Sequence, residues 1–212
     1  MGTVTTRVGG LCGVASAAAV VPAYLVGSPE VPGDRRDMRE YFDQALAFTT
    51  ANGTLPLLHV LFGLLFLGVL VTVLRRSAGP TALVYVALLG GAVFFALTSA
   101  GLAAEVAVPA AIVRFDDLSV IDQAEPFLAL ATWLYHYSQI GSAIMVFAVA
   151  ALVWRNRVFP RWAVAFAVFG VLPLLHTWIG LPGAVSTAAW IALTGLLMLI
   201  SPPAVGADVG EV

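Results

Sequence analysis

Four ionisable side chains lie within long apolar stretches of this sequence and are the residues best suited to chemistry. They are His59, Glu105, His136 and His176. Ionisable groups are costly inside a membrane-spanning segment, so they usually face the interior of a helix bundle and mark functional sites. Neutral imidazole ligates both metal ions and haem iron. The three histidines are therefore candidate ligands of a metal or haem cofactor.

The three histidines lie at a common depth in their predicted helices. Counted at about 1.5 Å per residue from the arginine that borders each stretch, they lie about 22 to 28 Å from one edge of a hydrocarbon core about 30 Å thick. Glu105 lies at or just above the same level on another helix. We therefore expect these side chains to form one polar layer near the outer surface.

The helix that carries His136 has a polar face. Thr132, His136 and Gln139 recur at positions i, i+4 and i+7 and therefore share one side of the helix. Tyr135 lies in the stripe beside them. Such a face lines a site, or it joins neighbouring helices through hydrogen bonds between polar side chains.

Prolines precede two of the histidines by three residues. Pro56 lies before His59, and Pro173 lies before His176. A proline within a span frees a backbone carbonyl and opens a kink, which membrane proteins tolerate where the segment lines a cavity. Kinked helices and a polar face at one depth predict a small pocket, open to the outside, that binds a small apolar or amphipathic molecule.

The ligand-binding residues predicted for this pocket are His59, Thr132, Tyr135, His136, Gln139 and His176. Two alternatives stay open. In the first, the protein is an enzyme that acts on a lipid or isoprenoid, with Glu105 and His136 as catalytic acid and base or with the histidines as metal or haem ligands. In the second, it is a structural or accessory subunit of a membrane complex, and its histidines only pack.

The composition places all of these residues in a membrane protein. Of the 212 residues, 60% are hydrophobic and only 10% are charged, whereas soluble domains carry about 25% charged residues. The net charge of -2 gives no basic surplus for binding nucleic acid. A single cysteine, Cys12, excludes an internal disulfide and a cysteine-based metal cage. The expected partners are therefore the lipid bilayer, an apolar small molecule or another membrane subunit.

Six apolar stretches are long enough to cross the hydrocarbon core as helices. They cover about residues 8–26, 55–74, 81–103, 127–154, 162–180 and 184–200. Residues 37–51 alternate polar and apolar positions with helical spacing, which predicts an amphipathic helix on the outer surface between the first two spans. The expected fold is therefore an all-α, polytopic bundle with a flexible cytoplasmic tail at 201–212.

The distribution of arginine predicts the orientation. Six arginines fall on one side of six alternating spans, in short linkers without acidic residues: Arg7, Arg75, Arg76, Arg155, Arg157 and Arg161. Short loops rich in basic residues are typically cytoplasmic, so both termini are expected there. Every basic residue is arginine, which suggests a GC-rich coding sequence. We therefore expect a protein of the bacterial cytoplasmic (inner) membrane.

The first span has small residues at four-residue spacing. Gly9, Gly13 and Ala17 share a face that predicts close packing against another helix. The run RVGGLCG at 7–13, followed by six spans with a long first outer loop, resembles a family of six-helix bacterial membrane proteins known only as a domain of unknown function. The resemblance implies a six-helix bundle over nearly the whole chain, and it assigns no activity, cofactor or functional residue.

Overall fold

The structure is a computed structural model that describes residues 3–29, 38–115, 118–175 and 181–203. Every regular element within these residues is a helix, which confirms the all-α prediction for them. The predicted ligand His176 and all of the predicted tail beyond residue 203 lie outside the described residues.

Seven α-helices and three 3-10 segments follow one another along the described parts of the chain. The α-helices are α1 Thr3–Val26, α2 Met38–Asn52, α3 Leu55–Ala78, α4 Ala82–Phe115, α5 Ala124–Asn156, α6 Val168–Val171 and α7 Leu181–Ile200. The 3-10 segments are Leu118–Gln123, Arg161–Ala167 and Leu172–Leu175.

Among the described residues, four helical stretches are long and apolar enough to cross a membrane. They are Thr3–Ala23, Glu40–Ala78, Ala82–Phe115 and Ser119–Asn156. Each of them contains most or all of one of the first four predicted spans. The last two predicted spans fall on shorter apolar helices, Arg161–Leu175 and Val185–Ile200.

The ends of α3 follow from its terminal residues. Pro56 lies in the first turn, where the missing proline N–H has no intrahelical partner to lose. It therefore starts the helix and does not kink it, so the kink predicted there from the sequence does not form. Arg75 and Arg76 lie in the last turn, where positive charge interacts favourably with the helix dipole. Gly79, with φ +74°, turns the chain towards α4.

Helix α4 is longer than a bilayer core requires. Its 34 residues run without interruption through Pro109 and span about 51 Å, against about 30 Å of hydrocarbon. Pro109 therefore does not break the helix. The last turns of α4 pack against α2, where Tyr41 and Ala45 contact Val108 and Ile112 in a small apolar cluster.

Helix α2 confirms the amphipathic pattern. Tyr41, Ala45 and Phe48 are buried, whereas Glu40 and Asp43 are exposed. Because the buried residues face the bundle and the charged ones face away, α2 covers the extended end of α4.

The fifth predicted span is not a regular α-helix. It consists of a 3-10 segment, the short α6 and a second 3-10 segment that contains Pro173. A 3-10 helix rises about 2.0 Å per residue. The 15 residues from Arg161 to Leu175 therefore extend about 28 Å.

Glycines at two helix contacts allow the backbones of neighbouring helices to approach closely. A Cβ atom on Gly10 of α1 would lie 2.6 Å from the carbonyl oxygen of Gly195 in α7. A Cβ atom on Gly90 of α4 would lie 2.7 Å from the carbonyl oxygen of Gly141 in α5. These backbones touch, and both helix pairs run antiparallel. Gly13 packs against Phe66 of α3, which confirms the predicted small-residue face.

Candidate functional site

Glu105 is the centre of a hydrogen-bonded site that joins three helical segments. Its carboxylate is half-buried on α4. Oε1 accepts a hydrogen bond from Ser28 Oγ at 2.5 Å, and Oε2 accepts one from Tyr135 Oη at 2.6 Å. Ser28 follows the end of α1, and Tyr135 lies on α5. The site therefore lies where α1, α4 and α5 meet.

Gly101 allows the tyrosine to reach this carboxylate. It precedes Glu105 by one helical turn, and the Tyr135 ring lies directly over it. A Cβ atom at Gly101 would come within 2.7 Å of Cε1 of that ring, which is too close for a carbon–carbon contact. The absence of a side chain at 101 is therefore what seats Tyr135 against α4 with its hydroxyl directed to Glu105.

The Glu105 carboxylate keeps unused capacity to accept hydrogen bonds. A carboxylate has about four lone-pair sites, and the two hydroxyl groups use one on each oxygen. No described arginine lies within 4.0 Å of it. Within the part of the chain that the structure describes, its hydrogen-bond donors are therefore these two hydroxyl groups alone. Such a group binds an amine or hydroxyl, or exchanges a proton with a bound molecule.

His59 belongs to a different contact, between α1 and α3. The side chain is 2% exposed, and its Nδ1 lies 3.0 Å from both the carbonyl oxygen and the Oγ of Ser16. In return, Ser16 Oγ donates to the carbonyl oxygen of His59 at 2.8 Å. The ring also packs against Phe95 of α4, with centroids 5.7 Å apart.

This geometry assigns the tautomer of His59. Because a carbonyl oxygen only accepts, Nδ1 carries the proton and donates to Ser16, which leaves Nε2 of the neutral ring as the acceptor. A metal ion or ligand would therefore have to bind at Nε2. The contacts with Ser16 are those of a histidine that joins two helices.

His136 and Thr132 lie further towards the bundle surface. His136 is half-buried and its ring contacts Trp133, with centroids 5.8 Å apart. Thr132 is exposed, and its hydroxyl donates to the carbonyl oxygen of Leu128 on its own helix. The neighbouring stripe of α5, which continues from Tyr135 through Ser138 and Ser142, points inwards, because both serines are fully buried. Ser142 also bonds Thr187 of α7 at 2.6 Å.

Two buried polar atoms near these serines have no hydrogen-bond partner within the described part of the chain. They are Gln139 Oε1 and Thr98 Oγ1, on residues that are 7% and 4% exposed. The amide nitrogen of Gln139 donates to the carbonyl oxygen of Tyr135 and to Ser138 Oγ. Buried polar atoms are nearly always satisfied by protein or water. These two atoms are therefore suited to receive a water molecule or a polar group of a ligand.

Thr98 continues the Glu105 site into the bundle. It lies between Phe94 and Gly101 on the face of α4 that packs against α5, because Phe94 contacts Gly141 and Gly101 contacts Tyr135. Glu105 is seven residues further along the same face. Thr98 and Glu105 are therefore two levels of one polar stripe at the α4–α5 contact.

The structure thus brings together only part of the predicted site. Glu105, Tyr135 and Gln139 lie along the α4–α5 contact, whereas His59 bonds to α1. No group of three or more metal-ligating side chains occurs among the described residues. His176 lies outside them, so a metal or haem role for His59, His136 and His176 stays a prediction.

Sequence reasoning missed Ser28 and Gly101 as site residues. Ser28 is 77 residues from its partner Glu105, and no periodic pattern connects them. Gly101 did carry a signal, because it precedes Glu105 by one turn on the same helix face.

Comparisons of the chain with known protein families, with curated proteins and with solved structures give no match. The resemblance to the six-helix family therefore stays a prediction.

Proposed function

We propose that this chain is a six-span protein of the bacterial cytoplasmic membrane that binds a small amphipathic molecule at the outer end of its bundle. Both termini would be cytoplasmic. The segment from Arg161 to Leu175 would be the fifth span and α7 the sixth. The antiparallel packing of α1 with α7 supports this topology, as does the apolar character of both shorter helices.

The single observation that carries the proposed binding function is the Glu105 carboxylate. It is half-buried and held by Ser28 and Tyr135, with no described arginine beside it. A carboxylate in this state favours a ligand head group that donates hydrogen bonds, above all an amine. Exposed apolar side chains such as Leu25 and Val26 lie just before Ser28 on α1. They offer a surface for the ligand's apolar part.

The orphaned atoms of Thr98 and Gln139 support a ligand that extends into the bundle. Each can accept a hydrogen bond, and the threonine hydroxyl can also donate one. A polar group or a water molecule beneath the ligand would remove the cost of burying them unpaired. His136 precedes Gln139 by three residues on α5 and remains a proposed ligand-binding residue.

One contact favours an enzyme as the second candidate. The bond between Tyr135 and Glu105 at 2.6 Å places a hydroxyl and a carboxyl group together, as acid and base catalysis requires. The substrate would be a lipid or isoprenoid, with His136 as a further proton carrier. Glu105→Gln would then abolish turnover and not only binding, and activity that survives this substitution would exclude the mechanism.

The contact between Ser16 and His59 favours the third candidate, an accessory subunit, because it joins α1 to α3 without leaving the Nδ1 atom free.

The ligand experiment separates the candidates. Native mass spectrometry of the purified protein should detect a co-purified small molecule on the wild type, and much less of it on Glu105→Gln. Thr50→Ala is the matched control, since this exposed threonine lies outside the predicted site and its hydroxyl donates to the carbonyl oxygen of Leu46 on its own helix. Equal occupancy of Glu105→Gln and the wild type would contradict the binding proposal.

A further inference from the structure

An open cleft lies at the end of the bundle opposite Glu105. It has a volume of about 520 Å³ and lies between the linker that follows α5 and the residues that follow α7. Its walls include Phe159, Pro202 and Pro203, and its charged groups are Arg157 and Arg161. Because α4 and α5 run antiparallel, this end carries the start of α4 and the end of α5.

The two arginines of the cleft have no counter-charge among the described residues. Both are exposed, and no described carboxylate lies within 4.0 Å of either guanidinium group. Arg161 stacks over the Trp154 ring, with its Cζ 5.9 Å from the ring centroid. This stacking restrains the guanidinium group while its hydrogen-bond donors stay available.

The main chain holds Arg157 in place. It ends α5 in a left-handed conformation with φ +54°, and its N–H donates to the carbonyl oxygen of Val153. It is the one described non-glycine residue with positive φ. Pro160 is then the N-cap residue of the next helical segment, Arg161–Ala167. The chain therefore turns sharply here and places Arg157 and Arg161 in the same cleft.

The surroundings of the cleft suit a membrane interface. Trp154 and Trp162 flank the linker and are 63% and 60% exposed, and tryptophan is enriched where hydrocarbon meets the head groups. Phe159 in the cleft wall is buried. A ligand here would thus meet two positive charges at the level of lipid phosphates and apolar surface beside them.

We propose that this cleft binds the phosphate of an anionic phospholipid, with Arg157 and Arg161 as its ligands. The planar guanidinium group donates parallel hydrogen bonds to phosphate oxygens, and anionic lipids of the inner leaflet attract basic segments at the membrane surface. The acyl chains lie along the apolar side chains next to the linker. This site does not depend on the proposed function at Glu105.

The test uses the full-length protein and native mass spectrometry. The protein is exposed to phosphatidylglycerol or phosphatidylcholine with identical acyl chains. We expect the wild type to retain phosphatidylglycerol at least tenfold more strongly than phosphatidylcholine. The double variant Arg157→Gln/Arg161→Gln should lose that preference. The matched control, Arg75→Gln/Arg76→Gln, removes the same charge from the end of α3, outside the cleft, and should keep it.

Three results would overturn the proposal. Equal retention of the two lipids by the wild type would exclude a phosphatidylglycerol site. Equal loss of preference in the control variant would show a general effect of positive charge. Displacement of the lipid by millimolar inorganic phosphate would identify a free-phosphate site instead. Circular dichroism of both variants confirms that each one is folded before binding is compared.

Discussion

At the scale of single residues, the Glu105 site depends on hydroxyl groups from two other segments. Tyr135→Phe removes one donor and keeps the ring over Gly101. A hydrogen bond to a charged group contributes about 1.5 to 3 kcal/mol when buried. Because Glu105 is half-exposed, we expect a loss of about 1 kcal/mol in the free energy of unfolding. Denaturation in detergent measures it, and an unchanged value would mean that the hydroxyl is satisfied equally well by water.

Gly101 should be sensitive to the smallest possible side chain. In Gly101→Ala the new Cβ atom would lie 2.7 Å from the Tyr135 ring, so the ring must move and its bond to Glu105 must lengthen. We expect a loss of about 1 to 3 kcal/mol in the free energy of unfolding, as for other overpacked contacts. Gly68→Ala is the control, because Gly68 has nothing within 4 Å of its added Cβ atom. An equal effect at both positions would contradict the packing argument.

His59 should act mainly through its contact with Ser16. His59→Leu removes the ring nitrogen that donates to the Ser16 carbonyl oxygen, which should cost about 1 to 2 kcal/mol. If His59 is not a metal ligand, elemental analysis of this variant should match the wild type. A stoichiometric metal that is present in the wild type and lost in His59→Leu would instead support the predicted metal site.

These residues also mark how far the sequence predicts the site. Glu105 and Tyr135 were identified because an ionisable or polar side chain in an apolar helix is costly unless it has a partner. The same reasoning grouped His59 with them by depth, although helix rotation directs His59 towards α1. Depth follows from counting residues, whereas direction depends on which helices are neighbours. The pairing of Ser28 with Glu105 required that knowledge.

At the scale of elements, the α4–α5 pair is held together by backbone contact. A Cβ atom on Gly141 would lie 2.7 Å from both the carbonyl oxygen of Gly90 and the amide nitrogen of Phe94. Backbone atoms cannot rotate away as side chains can, so Gly141→Ala must separate the two helices. We expect it to cost about 3 kcal/mol, at the upper end of the usual range for overpacking, and more than Gly101→Ala. A smaller cost would contradict the close approach of the helices.

The elements themselves were predictable to different degrees. The amphipathic pattern of α2 has a clear period, and the helix forms where it was expected. Residues 161–175 are apolar on nearly every side, so their sequence has no period that distinguishes α from 3-10 geometry. Pro160 and Pro173 restrict the backbone without determining which helix forms between them. The irregular fifth segment therefore required the structure.

At the scale of the whole molecule, the six-span topology makes opposite predictions for the two ends of the bundle. In a Cys12→Ser background, Ser28→Cys should react with a membrane-impermeant maleimide in intact cells. Ser201→Cys should react only after the membrane is made permeable. Both serines are exposed in the structure. Reaction of Ser201→Cys in intact cells would contradict the topology, because residues 28 and 201 would then lie on the same side of the membrane, whereas five crossings between them place them on opposite sides.

The central claim is that Glu105 binds the polar head of an amphipathic ligand, and paired titrations test it most directly. Octylamine and octanoate share an apolar tail and carry opposite charges, so nonspecific partitioning can be compared with the charge preference of the site. In lipid nanodiscs the wild type should bind octylamine about tenfold more tightly than octanoate, a difference of about 1.4 kcal/mol in binding free energy. Glu105→Gln should lose this preference, and the control Thr50→Ala should keep it. An equal preference in Glu105→Gln and the wild type would contradict the claim.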